Sequence, residues 1–435
     1  MSKKDAEVAE VVIIGGGQAG IAMSEHLQDR GVLHIVLERD RVAEAWRTKR
    51  WDSLVANGPA WHDKFPTQDF EHTHPDGFAT KDEVAEYFQT LVERKGLPVR
   101  TGVTVETVTE REGAPGFLVE TDAGDIAARF VVAATGPFQK PNVPDVIPAS
   151  AGLTQMHSSS YRNPGQLDEG AVLVVGAGSS GVQIAAEIQK SGRKVYLAVG
   201  PHDRPPRAYR NRDFCWWLGV LGKWDLAAPP VGADHVTIAV SGAEGGHTVD
   251  FRDLAASGMT LLGRAESFAD GKLQVRDDLA TNIARGDENY LSLLREADEY
   301  VERNGLDLPE EPEAHVLGPE PECVSNPVRE LDLAEAGVTT VIWATGYGVD
   351  YSWLQVDGVL NERGWPVQQR GVTPVPGLYY LGLPWLSRRG SSFIWGVWHD
   401  AKYLADQIEI QRMYRDYAPS TDDVRTENPL SVLGV

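Results

Sequence analysis

The sequence predicts an α/β chain of two parallel-sheet units, the second inserted into the first. Three observations predict it. A run of β-branched residues, Val11–Ile14, leads into Gly15-x-Gly17-x-x-Gly20 and then into a helical stretch. The same order returns as Ala171–Val175, Gly176-x-Gly178-x-x-Gly181 and the helical VQIAAEIQKSG. A buried-strand pattern ending in Ala-Thr-Gly also occurs twice, at Ala134-Thr135-Gly136 and Ala344-Thr345-Gly346.

In each glycine-rich stretch a strand feeds a tight turn and a helix N-terminus. The glycines let the backbone approach a pyrophosphate, and the free N–H groups and positive dipole end of the helix receive its charge. Each unit therefore reads as a Rossmann-like dinucleotide-binding domain. Gly15, Gly17, Gln18, Ala19 and Gly20 form the first candidate turn, and Gly176, Gly178, Ser179, Ser180 and Gly181 the second. One such turn is a weak signal; two complete units in one chain are specific.

The two units differ where a strand follows the helix. Leu33–Leu37 ends at Glu38, near the spacing of about 20 residues at which a carboxylate meets a ribose hydroxyl pair. With Arg39 and Trp46 following, this site suits the ADP half of FAD, and Glu38 repels a 2′-phosphate. The matching position of the second unit is Val199, and Arg204, Arg207, Arg210 and Arg212 follow. Arginine there accepts a 2′-phosphate, so Arg204 and Arg207 are the candidates for NADPH, with NADH as the alternative.

Along the rest of the chain, Arg39–Phe65 is dense in tryptophan (Trp46, Trp51, Trp61) around Asn57-Gly58-Pro59. Lys81–Lys95 carries apolar residues at helical spacing and predicts an amphipathic surface helix. Val103–Val108 and Gly116–Thr121 predict strands, and the proline-rich Pro141–Pro148 a linker. The FAD unit is expected to comprise residues 1–155 and 336–435, and the NADPH unit residues 156–335. Between Trp216 and Glu322 the pattern is weak: a strand at Val236–Val240, a charged helix at Tyr290–Arg303, and insertions over a substrate site. Leu378–Leu381 predicts a strand, and Ser391–Ile410 a long helix whose N-terminus either faces a flavin or is ordinarily capped.

Composition bounds the partners. The 435 residues include 42% hydrophobic ones, enough for real cores, and carry a formal charge of −22. That surface repels phosphodiester backbones and anionic lipid, which argues against nucleic-acid and membrane partners. The two cysteines, Cys215 and Cys323, lie far apart in sequence, fitting a reducing cytoplasm and no cysteine-based metal site. The polar MSKKDAEVAE start reads as no signal peptide, and the tail after Tyr417 as loose. Nothing in the sequence fixes the oligomeric state, a homodimer included.

Taken together, the two glycine-rich units, His157-Ser-Ser-Ser-Tyr161 and the late Trp343-Ala-Thr-Gly-Tyr347 resemble the class B flavoprotein monooxygenases, in particular bacterial members similar to the flavin-containing monooxygenases. The resemblance covers most of Val11–Gly200 and Thr340–Gln407. The chain departs from the family fingerprint at Ala151 and Leu153, which stand where Phe and Gly are usual. Tyr161-Arg162 leans away from ketone oxygenation, and Thr340 replaces the acid that usually precedes the Ala-Thr-Gly strand.

The resemblance implies that NADPH passes a hydride to FAD and that reduced flavin forms a peroxide with dioxygen. One oxygen atom then goes to a nitrogen, sulfur or carbon of a small organic substrate. By its context in Asn57-Gly-Pro and Phe65-Pro66, Asn57 matches the family asparagine beside the reactive flavin carbon and is the catalytic candidate. Thr135, Gly136, Thr345 and Gly346 join the cofactor-binding set, and no metal is implied. The main rival is an NAD(P)H-dependent flavin reductase or oxidase without oxygen transfer. A disulfide reductase would need a cysteine pair beside the flavin, which Cys215 and Cys323 do not supply.

Overall fold

The computed structural model describes residues 6–227 and 238–418. The expected strand Val236–Val240 begins outside the described residues, and both the tail beyond 418 and the first five residues lie outside them.

β1 (Glu7–Ile14) and β2 (His34–Glu38) run parallel with α1 (Gln18–Asp29) between them, as a β-α-β unit requires. α2 (Glu44–Thr48) and α3 (Lys81–Lys95) follow, and β3 (Val99–Thr101) adds beside β2. The predicted helix over Lys81–Lys95 forms as such, opened by a Thr80–Glu83 capping box and closed by Gly96 in the left-handed region. β4 (Val105–Glu110), β5 (Phe117–Thr121) and β6 (Ile126–Ala133) make an antiparallel meander, and β6 lies parallel to β1. The sheet order is β3-β2-β1-β6-β5-β4. Val11–Ile14 and Phe130–Ala133 are buried at its centre.

The chain then crosses through β7 (Lys140–Pro141) to β8 (Thr154–His157), β9 (Ala171–Val175), α4 (Ser179–Lys190) and β10 (Val195–Ala198). A hairpin of β11 (Ala208–Tyr209) and β12 (Arg212–Asp213) follows, with Arg210 and Asn211 both at positive φ in its turn. Next come α5 (Phe214–Val220), α6 (Phe251–Ala256), β13 (Thr260–Leu262), β14 (Ala265–Ala269) and β15 (Lys272–Val275). After them stand α7 (Leu279–Asn304), α8 (Glu322–Ser325), β16 (Glu330–Asp332) and β17 (Val338–Trp343).

The second sheet is all parallel in the order β13-β10-β9-β17-β8, while β14, β15 and β16 form a small antiparallel sheet. β8 and β17 thus belong to the second sheet by their hydrogen bonds. The last strand of that sheet ends at Trp343, past the expected return to the first unit at 336. The expected charged helix is the second half of α7.

The return crossing, β18 (Tyr347–Gly348), pairs antiparallel with β7, so the two crossings form one ribbon. β19 (Leu378–Tyr380) then rejoins the first sheet on the far half of β6, and α9 (Ile394–Asp416) packs along α1. α9 starts three residues later than expected and runs past Ile410.

Between α1 and α9, the buried His26 Nε2 donates to the Trp398 carbonyl at 2.9 Å, and burial lowers its pKa from 6.5 to about 4. The folded state therefore holds it neutral while the unfolded chain protonates. This contribution to stability is full above about 6.5 and is lost as pH falls toward about 4. Melting temperature is expected to fall across that window, and His26→Gln to flatten the fall; an unchanged slope would contradict it.

Candidate active site

The phosphate turns are built by glycine in two ways. Gly15 and Gly176 sit at φ +113° and +114°, where a side chain would be strained. A Cβ on Gly15 would also strike the Ala134 carbonyl, and one on Gly176 the Ala344 carbonyl. Gly20 and Gly181 have a different reason. A Cβ there would run into the Gly15 and Gly176 carbonyl oxygens, so only glycine lets each helix seat against its own turn.

Each Ala-Thr-Gly segment thus packs on one glycine turn: Thr135 and Gly136 by the first, Thr345 and Gly346 by the second. A Cβ on Gly17 would meet nothing within 4 Å, which leaves the first turn open.

The helix starts carry the fit to dinucleotides. α3 caps its own N-terminus with Thr80. α1 begins after Gly17 and α4 after Gly178, each with no side-chain cap and no acid in the first turn. Their leading N–H groups stay available to an anion. Gln18 Nε2 donates to the Ser392 carbonyl at 2.8 Å, tying the start of α1 to the start of α9, which is also uncapped. Ala19 is buried behind the turn. In the second turn, Ser179 Oγ donates to the Ile238 carbonyl at 2.7 Å, and Ser180 is half-buried beside it.

Glu38 stands at the end of β2 against the first turn. Its Oε2 accepts from Gly16 N at 2.6 Å and its Oε1 from Asp40 N at 2.9 Å. This holds its carboxylate against the first glycine turn. Trp46, half-buried, packs against the cores of both units. Arg39, next along the chain, is 71% exposed, with its Nε 3.3 Å from Asp40.

The arginines after β10 require a correction. Arg204 is 2% exposed and its guanidinium lies 2.7 Å from Asp287, which Arg252 also binds, with Asp250 at 3.4 Å and the Tyr290 ring beneath. Arg207 is buried against Asp213 at 2.5 Å and between the Phe78 and Phe214 rings. Both charges are neutralised inside the fold, so neither is offered to a 2′-phosphate. Arg264, just beyond β13, is a more exposed cation near the same strand end: its stem would lie 3.6 Å from a Cβ on Gly200, two residues past β10. It is half-exposed, and Asp278 takes its Nε.

Asn57 sits between the two units. Its Oδ1 accepts from Gln183 Nε2 of α4 at 2.9 Å, and its backbone carbonyl accepts from Arg207 Nη1 at 2.6 Å. The loop that follows is held by Asp63, whose Oδ2 accepts from Gly58 N at 3.0 Å while its Oδ1 takes the His62 Nδ1 proton at 2.7 Å. His62 is walled by Trp61, Trp224 and Trp395, so the insertion carrying Trp224 reaches the Asn57 loop.

His157 is structural. Burial lowers its pKa, and its Nε2 donates to the Gly346 carbonyl at 3.0 Å, pinning the return crossing. Gln183 and Asp63 escaped the sequence reading, because their partners Asn57 and Gly58 are set by tertiary folding and the loop geometry, and no motif spacing marks them.

Comparison with known proteins now has a geometry to explain. Residues 12–213 match the family model for pyridine nucleotide-disulphide oxidoreductases. The chain is 34% identical over 404 residues to a CzcO-like oxidoreductase of Geobacillus kaustophilus (strain HTA426), spanning 92% of this chain and 98% of that protein. It is 30% identical over 437 residues to the indole-3-pyruvate monooxygenase YUCCA4 of Oryza sativa subsp. japonica, spanning 94% and 89%. The chain belongs to the flavin-dependent monooxygenase family of oxidoreductases.

Its fold agrees with that of the flavin-containing monooxygenase from Stenotrophomonas maltophilia, with a TM-score of 0.64, 20% identity, and coverage of 93% and 99%. As a family member it is a flavoprotein enzyme using a flavin and a nicotinamide cofactor. Its two cysteines are both free, and Cys215 is buried, its thiol pushed well above the usual range by burial and by Asp63 and Asp213. No helix among the described residues is long and apolar enough to cross a membrane.

Proposed function

We propose that this flavoprotein is a monooxygenase that holds FAD on the first glycine turn and NADPH on the second and oxygenates a small organic substrate. The observation that carries this reading is Asn57, whose carboxamide lies between the two units and is gripped from the NADPH side. The chemistry supplied by the bound cofactors is oxidation of NADPH by dioxygen, one oxygen atom passing to a substrate nitrogen, sulfur or carbon and the other leaving as water.

The chain's own residues bind, orient and exclude water. Gly15–Gly20 and the α1 N-terminus receive the FAD pyrophosphate, and Glu38 takes its ribose hydroxyls. Gly176–Gly181 and the α4 N-terminus receive the NADPH pyrophosphate. Asn57 Nδ2 donates a hydrogen bond to oxygen at the reacting face. The buried Trp224 ring, with the half-buried rings of His62 and Trp61 against it, keeps water from the Asn57 loop. Within this division, the FAD unit comprises residues 1–155 and 336–435 apart from β8 and β17, which complete the NADPH unit's sheet.

The preference for NADPH rests on Val199, which offers no carboxylate, and on Arg264 in place of Arg204 and Arg207. Arg264→Glu is expected to weaken NADPH binding about tenfold while leaving NADH nearly unchanged. Equal losses for both nucleotides would contradict this placement. Release of FAD on denaturation, and bleaching of the bound flavin by NADPH without oxygen, test the cofactor assignment. A flavin that NADPH leaves oxidised would overturn it.

A further inference from the structure

The hydrogen bonds around Asn57 fix which end of its carboxamide faces α4. Gln183 stands half-buried on α4, one turn from the NADPH phosphate turn. Its side-chain amide touches two groups, the Val240 carbonyl at 2.7 Å and the Asn57 side chain at 2.9 Å. A backbone carbonyl only accepts, so the Gln183 atom that faces Val240 is the nitrogen. The same nitrogen faces Asn57, so Asn57 must answer with its oxygen. The NH2 group of Asn57 is thereby turned away from α4. Arg207 holds the backbone of the same residue through its carbonyl at 2.6 Å, and Asp213 and the two phenylalanine rings hold Arg207. Rotation of the side chain is the one freedom left to Asn57, and Gln183 removes it.

We infer that Gln183 is a positioning residue, fixing the Asn57 carboxamide with its NH2 group toward the reacting face. Gln183 also ties that orientation to the helix whose N-terminus receives the nicotinamide nucleotide. The inference rests on the reading of Asn57 given under the proposed function. Gln183 touches no reacting atom; it acts through Asn57. Its two donors are both spent, on Val240 and Asn57, so an acceptor in its place cannot do the same work. Glutamate, of nearly the same shape, would draw the Asn57 NH2 toward itself and turn the carboxamide over. Leucine would leave it free to rotate.

The test uses flavin-loaded protein with asparagine labelled by nitrogen-15, the Asn57 side-chain amide pair being identified by its loss in Asn57→Asp. Gln183→Glu is expected to shift that pair, and Gln183→Leu to move it differently. With NADPH and oxygen, hydrogen peroxide released per product formed is expected to rise about tenfold in both variants. Resonances at the wild-type position in both variants would overturn the inference. So would a shifted pair with an unchanged peroxide ratio, because orientation would then carry no consequence. Wild-type protein that gives only hydrogen peroxide with every substrate would instead sink the proposed function, and the amide resonances would still decide the role of Gln183.

Discussion

Asn57→Ala is expected to turn the enzyme into an NADPH oxidase: oxygenated product falls about 100-fold while hydrogen peroxide accounts for the NADPH consumed. The size follows from removing one preorganised donor at a developing negative charge, which in other enzymes costs about 10² to 10³ in rate. The backbone at 57 stays anchored in the variant, because Arg207 grips the carbonyl and not the side chain. Flavin content should therefore be that of the parent. Product and peroxide are read together per NADPH. A variant that keeps its product yield would remove Asn57 from the chemistry, whatever the fold.

The second large effect separates the two nucleotide sites. Gly181→Val places a side chain against the Gly176 carbonyl of the second turn and the Ala344 methyl of the segment packed on it. Backbone cannot retreat there as a flexible side chain would, so α4 must lift and its N-terminal N–H groups leave the pyrophosphate. NADPH affinity should fall more than about 100-fold. The flavin should stay bound, because Gly15, Gly20 and Glu38 belong to the other sheet. Dithionite should still bleach the flavin in the variant while NADPH does not. Loss of flavin with NADPH affinity retained would mean that the two turns have been assigned the wrong way round.

How much of this was readable beforehand differs by region, for physical reasons. Both β-α-β units declare themselves because strand burial, a glycine turn and a helix are local properties of adjacent residues. The helical spacing of apolar residues in Lys81–Lys95 made α3 equally plain. The first glycine turn, Glu38 and Thr135 lie together in the structure, while Arg39 stands at the surface beside Asp40.

The arginines after β10 were misread because sequence shows a charge and hides its partner. Asp287, which neutralises Arg204, lies 83 residues away, on a helix whose packing depends on the insertion. Arg207 turned out to serve Asn57, 150 residues earlier, through a backbone atom that no motif records. The insertion itself gave little, since its aromatic cluster around Trp217, Trp224 and α7 is a tertiary core without a repeating pattern. β17, beyond the expected boundary at 336, pairs in the second sheet for a related reason. A fully buried parallel strand looks the same in either sheet, and only its pairing with β9 and β8 decides.

The central claim is that NADPH on one unit drives oxygen transfer at the other. It is tested most directly with oxygen-18 gas, NADPH and a panel of amines, thioethers, ketones and aromatic 2-oxo acids. The account predicts one labelled oxygen atom in the product of at least one member, with one NADPH consumed per product and little hydrogen peroxide. Unlabelled substrates throughout, with every NADPH recovered as hydrogen peroxide, would contradict it and leave a flavin oxidase.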